Sequence, residues 1–327
     1  MKKVFITGGA GYIGSATVAA LLKAGHSVTV YDDLSRGHQS AIPTGASFVY
    51  GSTGNRASLA RALASKSFDV VIHFAAFIEA GESMEQPGLY FRNNVTYAHN
   101  VIEATVEAGC PRFVFSSTAA VYASSEDPLT EESELGPANT YGETKLMIET
   151  MLKWYHRTQG LRYAALRYFN ACGALPGVGE DHKPETHLIP RVLQVALGQR
   201  ENLNINGTDY PTRDGTCIRD YVHISDLSQA HLLTAEALAE REVIVYNLGT
   251  GIGYSVREVV QTAREVTEHL IPTVRSPRRT GDPVRLVACS DLIKGELGWE
   301  PSYSTLENIV GTAWEWHRSH PYGYNTN

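Results

Sequence analysis

The chain of 327 residues is long enough for one large domain or two ordinary ones, and its 43% apolar content is that of a folded protein. A net charge of −7 gives no basic footprint for nucleic acid, no apolar run is long enough to span a bilayer, and glycines interrupt the first apolar run too early for a secretory leader. The four cysteines, Cys110, Cys172, Cys217 and Cys289, are scattered without a Cys-x-x-Cys pair, which argues against a disulfide framework or zinc ribbon and makes a reducing cytoplasm the expected setting.

Val4–Thr7 reads as a first strand, and Gly8-Gly9-Ala10-Gly11-Tyr12-Ile13-Gly14 follows it. Helical spacing then runs over Ile13–Lys23 and stops at Gly25. A strand that breaks into glycines and re-forms as a helix is a phosphate cradle, because the backbone can approach a pyrophosphate at the positive helix end. An ordinary turn has the same glycines, so context decides. Ser27–Tyr31 is a second strand and ends in Asp32, about 20 residues past the loop, where an acidic side chain takes the ribose hydroxyls of a dinucleotide.

Ser47–Tyr50 reads as a third strand, Ala57–Ala64 as a helix and Val70–Phe74 as a fully apolar strand. Asn94–Ala108 has helical spacing that Gly109 and Pro111 end. Phe113–Ser117 is strand-like, Thr140–His156 a long helix and Tyr163–Tyr168 a sixth strand. Alternating helices and near-continuous apolar strands predict an α/β fold, a doubly wound, Rossmann-like parallel sheet covered on both faces, with ligands at the carboxyl ends of the strands.

The rhythm changes after Asn170. Ala171–Thr186, rich in glycine, proline and charge, reads as a mobile loop or lid. Leu188–Leu197 reads as a helix, Leu203–Ile205 as a short strand, Leu227–Ala239 as a helix capped at Ser225–Asp226, and Val243–Leu248 as a strand. Ser255–His269, Asp291–Leu297 and Leu306–His317 read as helices. The expected division is a nucleotide-binding domain over residues 1–170, to which about 221–248 returns, and a smaller α+β substrate domain over 171–327.

Strand five ends in Ser116-Ser117-Thr118, and Tyr141 and Lys145 stand four apart on one helical face. Spacing alone favours an exposed helix pair, and the glycine loop, Asp32 and the strand-end hydroxyls upstream shift the balance. Placed at the strand ends, the three residues set a hydroxyl, a phenol and an ammonium beside a bound nicotinamide. A phenol has a reference pKa of about 10, and bringing it near 7 takes roughly 4 kcal/mol. Lys145 and an oxidised nicotinamide are the expected suppliers of that positive charge.

TGGAGYIG, Asp32, HFAA at His73–Ala76, SSTAAVY at Ser116–Tyr122 and YGETK resemble the extended short-chain dehydrogenase/reductase family. Asn93-Asn94-Val95, RYFN at Arg167–Asn170, HLIP at His187–Pro190, IRDYVH at Ile218–His223, YNLGTG at Tyr246–Gly251 and PRRTGD at Pro277–Asp282 are similar to its UDP-hexose 4-epimerase branch. The resemblance runs from the first residues to about Tyr322. It implies NAD-dependent interconversion of UDP-glucose and UDP-galactose through transient oxidation at C4, rotation of the 4-keto sugar and return of the hydride. It implies catalytic roles for Thr118, Tyr141 and Lys145. It places the cofactor on Gly8, Gly11, Tyr12, Ile13 and Gly14, on Asp32 and the turn Asp33, Leu34, Ser35, Arg36 and Gly37, on Ser52 and Thr53, on Phe74, Ala75 and Ala76, and on Asn93 and Phe169. It places the UDP-sugar on Asn170, His187, Leu188, Asn204, Asn206, Arg219, Arg279, Asp282 and Leu286. Arginine forks suit a diphosphate because they bind it bidentately.

The sequence departs from the family's pattern in places. Ser52 follows Gly51 where an aspartate usually meets the adenine, and Ile78 and Glu79 stand where some relatives carry a lysine. His187 replaces an asparagine that commonly contacts the diphosphate, and Asn206 replaces an aromatic common near the uracil. An acidic Asp32 favours NAD over NADP, with Arg36 as a counter-argument. At the wall of the sugar pocket Leu286 replaces a bulkier residue, which predicts added activity on UDP-GlcNAc and UDP-GalNAc. Relatives dimerise through the helices at Asn94–Ala108 and Thr140–His156, so a homodimer is expected. A 4,6-dehydratase would need an acid pair after Thr118, where Ala119 and Ala120 stand instead. A 4-epimerase of uronic or pentose nucleotide sugars stays open, as does a non-catalytic NAD-sensing protein, against which the intact Thr118, Tyr141 and Lys145 argue. His182 and His187, like His317 and His320, have no spacing backed by cysteines or carboxylates, so no metal is expected.

Overall fold

A computed structural model of the chain describes residues 1–279 and 282–324, so Thr280 and Gly281 of the PRRTGD segment lie outside the described residues, as does the end of the expected second domain. In chain order the first part comprises β1 (Lys3–Thr7), α1 (Tyr12–Lys23), β2 (Ser27–Asp32), β3 (Ser47–Tyr50), α2 (Arg56–Ala64), β4 (Val70–His73), α3 (Ala80–Glu85), α4 (Pro87–Tyr90), α5 (Tyr97–Glu107), β5 (Arg112–Thr118), α6 (Thr140–Gln159), β6 (Arg162–Tyr168) and β7 (Asn170–Cys172). The second part comprises α7 (Leu188–Ala196), β8 (Leu203–Asn206), β9 (Ile218–His223), α8 (Ile224–Ala237), β10 (Val243–Leu248), β11 (Gly253–Ser255), α9 (Val256–Thr267), β12 (Thr273–Ser276), β13 (Arg285–Leu286), α10 (Asp291–Leu297) and α11 (Leu306–Ser319).

Seven strands form one sheet in the order β10-β6-β5-β4-β1-β2-β3, and every pairing is parallel. Strand alternation sorts its side chains. Val4 and Ile6 enter a core with Val18, Leu21, Leu227 and Trp299, whereas Phe5 enters the opposite core with Leu59, Val101, Ile148 and Leu152. Strand order reverses between β1 and β4, which opens the crevice where such sheets take ligands.

A smaller layer faces the carboxyl ends of those strands. Central β9 pairs with β7 and β13 in parallel and with β11 antiparallel, while β8 pairs with β12. Its core gathers Val192 and Leu193 of α7, Val259 and Val260 of α9, and Ile309 and Val310 of α11.

Three local expectations change. The helix expected from Asn94 is preceded by a π-helical turn at Phe91–Thr96, a form that widens the backbone and recurs at functional sites. Helix α8 starts at Ile224 because the ring of His223, not Ser225–Asp226, caps it by accepting from the Ser225 amide at 3.0 Å. Asp226 instead accepts from the Tyr303 amide and the Ser304 hydroxyl. The segment read as a mobile loop is pinned: Ala174 N donates to Thr312 Oγ1, Gly179 N donates to the Tyr324 hydroxyl, and Val178 and Glu180 are buried.

Candidate active site

The glycine turn leads from β1 into α1, with Gly11 at the helix N-cap. Gly8 has φ +75°, and a Cβ there would meet Ala75 N at 2.4 Å; a Cβ on Gly14 would meet Gly8 O at 2.2 Å. Both positions therefore need glycine. A Cβ on Gly11 would meet nothing within 4 Å except Gly8 O at 3.3 Å, so the turn keeps an open cradle above the amides of α1. Its geometry and the helix dipole suit a pyrophosphate.

Asp32 closes the cradle from the end of β2. Its carboxylate accepts from Ala10 N at 3.0 Å and Leu34 N at 2.8 Å, and burial raises its pKa despite those bonds. The Asp33–Gly37 turn packs on the cradle, with Asp33 accepting from Ser35 N and with Ala10 against Gly37. Arg36 points elsewhere: it donates to Lys183 O at 2.8 Å and lies over the Phe77 ring. That arrangement weakens it as a ligand for a 2′-phosphate. Asp33, Ser35, Ser52, Asn55 and Ser58 line a cleft of about 530 Å³ beside this end. Thr53 is anchored from behind, its carbonyl accepting from Asn100 Nδ2 at 3.0 Å.

Phe74, Ala75 and Ala76 leave β4 beside the glycine turn, with the Phe74 and Ala75 amides both donating to Thr7 O. Asn93 sits on the π-helical turn and donates to Asn94 Oδ1, while Asn94 pairs with both backbone groups of Phe77 and reaches Thr144. Phe169 is buried just past β6 against Ala119 and Val121, and half-buried Leu286 of β13 packs on the same cluster.

At the end of β5, Thr118 caps a short turn by accepting from Ala120 N at 3.1 Å. Asn139 caps α6, which projects Tyr141, Lys145 and Glu149 one turn apart from a shared face. Burial pushes the Tyr141 phenol up to about 12, against the lowering influence of the nearby Thr118 hydroxyl. The Lys145 ammonium donates to Ser116 O at 2.7 Å and stands 5.8 Å from the Tyr141 ring centre. Burial lowers it to about 7, opposed by the charge of Glu149. In the free chain the burial of both groups opposes the expected help of Lys145 in lowering the phenol. Desolvation dominates both groups, so positive charge bound beside them would add to that of Lys145 in favouring phenolate. Glu149, missed in the sequence, accepts from Ser117 Oγ at 2.5 Å and from both arms of Arg167, at 3.0 and 2.6 Å.

Across the cleft, Arg219 and Asp282 form an ion pair instead of standing as separate ligands. Arg279 lies against the side-chain amide of Asn206, whose oxygen, with the amide turned over, would accept from its Nε at 2.8 Å. Asn204 shares that face of β8 and is exposed. Asn170 is turned toward β9, donating to Asp220 O at 2.8 Å. Half-buried Leu188 opens α7 and packs on the small core. Arg191, one turn further and also missed, has a buried Nε with no hydrogen-bond partner, and burial with the nearby charges of Arg200 and Arg279 lowers its pKa. Arg191, Arg219 and Arg279 thus carry more positive charge than their neighbours neutralise, which suits an anionic ligand.

His187 caps α7, but its Nδ1 faces Glu180 Oε1 at 2.9 Å and Glu185 Oε1 at 3.1 Å, so that edge is committed away from a phosphate. These two carboxylates overturn the premise that nothing backs the histidines of this loop.

Residues 4–249 match the NAD dependent epimerase/dehydratase family. The chain is 49% identical to the UDP-glucose 4-epimerase of Halalkalibacterium halodurans over 327 residues, 99% of this chain and 98% of that protein. A crystal structure of a UDP-glucose 4-epimerase superposes with a TM-score of 0.96 at 50% identity, covering 99% of this chain and 100% of the other. The Brucella ovis UDP-glucose 4-epimerase in complex with NAD superposes at 0.93 and 44% identity, over 96% and 98% of the two chains.

Proposed function

The chain belongs to the NAD dependent epimerase/dehydratase family, and we propose that it interconverts UDP-glucose and UDP-galactose by oxidation and re-reduction at C4 of the sugar. The observation that carries this reading is the Thr118–Tyr141–Lys145 group at the carboxyl edge of a nucleotide-binding sheet, facing an arginine-lined wall. NAD, when bound, supplies the acceptor and later the donor of the hydride.

The cofactor would lie on the Gly8–Gly14 cradle, with Asp32 and its turn at the adenosine ribose, Ser52 and Thr53 toward the adenine, and Phe74–Ala76, Asn93 and Phe169 along its length. UDP would take Arg219, Arg279 and Arg191 at the diphosphate, with Asp282 orienting Arg219. Tyr141 takes the proton of the sugar 4-hydroxyl, and Thr118 hydrogen-bonds the 4-oxygen. Firm anchoring of the nucleotide leaves the sugar free to turn. Leu286, beside Phe169, would wall the sugar pocket and leave room for an N-acetyl group. On this assignment residues 1–170 and about 221–248 serve the cofactor, and 171–327 the UDP-sugar. No described helix is long and apolar enough to cross a membrane, and we place the chain in the cytoplasm as a homodimer.

Incubation with UDP-glucose, and separately with UDP-GlcNAc, tests this without added NAD. Chromatography should show the galacto epimer of each sugar, which also reports a resident cofactor. Absence of any product after NAD is supplied would overturn the reading.

A further inference from the structure

Between β7 and α7 the chain folds four side chains onto one point. Glu180, His182, Glu185 and His187 each offer one ligand atom, and these atoms all lie within 4.8 Å of one another. The histidine–carboxylate separations are 2.9 Å for His187 Nδ1 to Glu180 Oε1, 3.1 Å for His187 Nδ1 to Glu185 Oε1, 3.3 Å for His182 Nδ1 to Glu180 Oε1, and 3.8 Å for His182 Nδ1 to Glu185 Oε2. A tetrahedral ion bonded at about 2.0–2.1 Å sets ligand-to-ligand edges of about 3.3 Å. Glu180 Oε1 faces both histidines at 2.9 and 3.3 Å, close to two such edges, while Glu185 meets His187 through Oε1 and His182 through Oε2, so a small turn of its carboxylate would complete the set.

A second observation points the same way. His182 Nδ1 is closed off from solvent and makes no hydrogen bond, although a carboxylate oxygen stands 3.3 Å away. An imidazole nitrogen shut in beside two carboxylates, without a well-aligned hydrogen bond to either, is available as a ligand. Charge agrees. Two carboxylates on one short buried loop carry two negative charges, which one divalent cation neutralises.

We propose that Glu180, His182, Glu185 and His187 form a binding site for one divalent transition-metal ion, with zinc as the best fit. Two imidazole nitrogens disfavour magnesium and calcium, and four protein ligands leave no open position, so the ion is structural. It would clamp the loop against the start of α1. His182 lies edge-on to the Tyr12 ring at 6.3 Å, and the Tyr12 hydroxyl donates to Gly173 O. Tyr12 belongs to the glycine turn, so the clamp would join the cofactor cradle to the N-terminus of α7. The assignment does not depend on epimerase activity.

The test strips the purified protein with a chelator and titrates it with zinc chloride against a chromophoric competitor, then with cobalt(II). The expected result is one zinc per chain, with zinc raising the unfolding temperature of the stripped protein. The cobalt adduct should show the intense visible bands of a four-coordinate site without a thiolate charge-transfer band, a readout that needs no variant to fold. His182→Ala and Glu185→Gln should each weaken zinc at least 100-fold and abolish the thermal shift. Substoichiometric binding, a thiolate band, or variants that bind like the parent would overturn the proposal.

Discussion

Tyr141 starts from a disadvantage: burial pushes its phenol up to about 12, while the lysine beside it is pushed down to about 7 by the same burial. In the free protein burial therefore favours a neutral phenol and disfavours the charged lysine. The positive charge of oxidised NAD favours phenolate, so binding it should lower the tyrosine's pKa. Ultraviolet difference titration of the parent minus Tyr141→Phe, with and without NAD, measures this; an unmoved midpoint would refute it. Because phenolate is the working form, kcat should fall on the acid side of the bound-state pKa, and Tyr141→Phe should lose about 10²–10⁴-fold in kcat. At this scale the sequence was legible where spacing on one element decides, as with Tyr141 and Lys145. It was silent where side chains meet across elements: Arg167 and Glu149 lie 18 apart, and Arg191 became visible only once β8 and the 277–279 segment packed near α7.

The long elements followed their periodicity, because burial on the two faces of one sheet demands it. Strands of two or three residues did not, since β7, β11 and β13 are strands only through pairing with distant β9 and carry no period of their own. The entry into α6 shows how an element aims a side chain. A Cβ on Gly142 would meet Ala120 O at 2.2 Å, a backbone atom that cannot step aside. Gly142→Ala should therefore lift the first turn of α6, and Tyr141 with it, away from Thr118. A loss of at least tenfold in kcat is expected with NAD binding retained in a fluorescence titration. Gly295→Ala in α10 is the control, since no heavy atom lies within 4 Å of its added methyl. It should leave kcat unchanged and stabilise by up to about 1 kcal/mol. Equal kcat for both variants would remove the aiming role of the close approach.

Across the whole molecule, histidines are buried at the joints between elements far apart in the chain. His73 bonds Thr7 at 2.6 Å where β4 meets β1, His223 bonds Thr312 at 3.0 Å where β9 meets α11, and His231 bonds the Tyr168 hydroxyl at 2.7 Å where α8 meets β6. Burial lowers them to about 3, about 4 and about 4. Sequence alone could not reveal this, because each depends on an element contributed from far along the chain. Below the unfolded value of about 6.5, the unfolded chain binds a proton at each position that the folded chain refuses. The contribution of these three histidines is therefore constant above about pH 7 and is lost as pH drops from about 6.5 toward 4. Each histidine contributes about 1.4 kcal/mol per pH unit, and the three together about 4. Urea unfolding at a series of pH values through that window measures the slope. His231→Gln, which keeps an acceptor for Tyr168, should make it shallower by about 1.4 kcal/mol per unit while leaving the region above pH 7 parallel to the parent. Parallel curves throughout the acid window would show that His231 is protonated in the folded chain, and that the α8–β6 joint tolerates a charge its burial argues against.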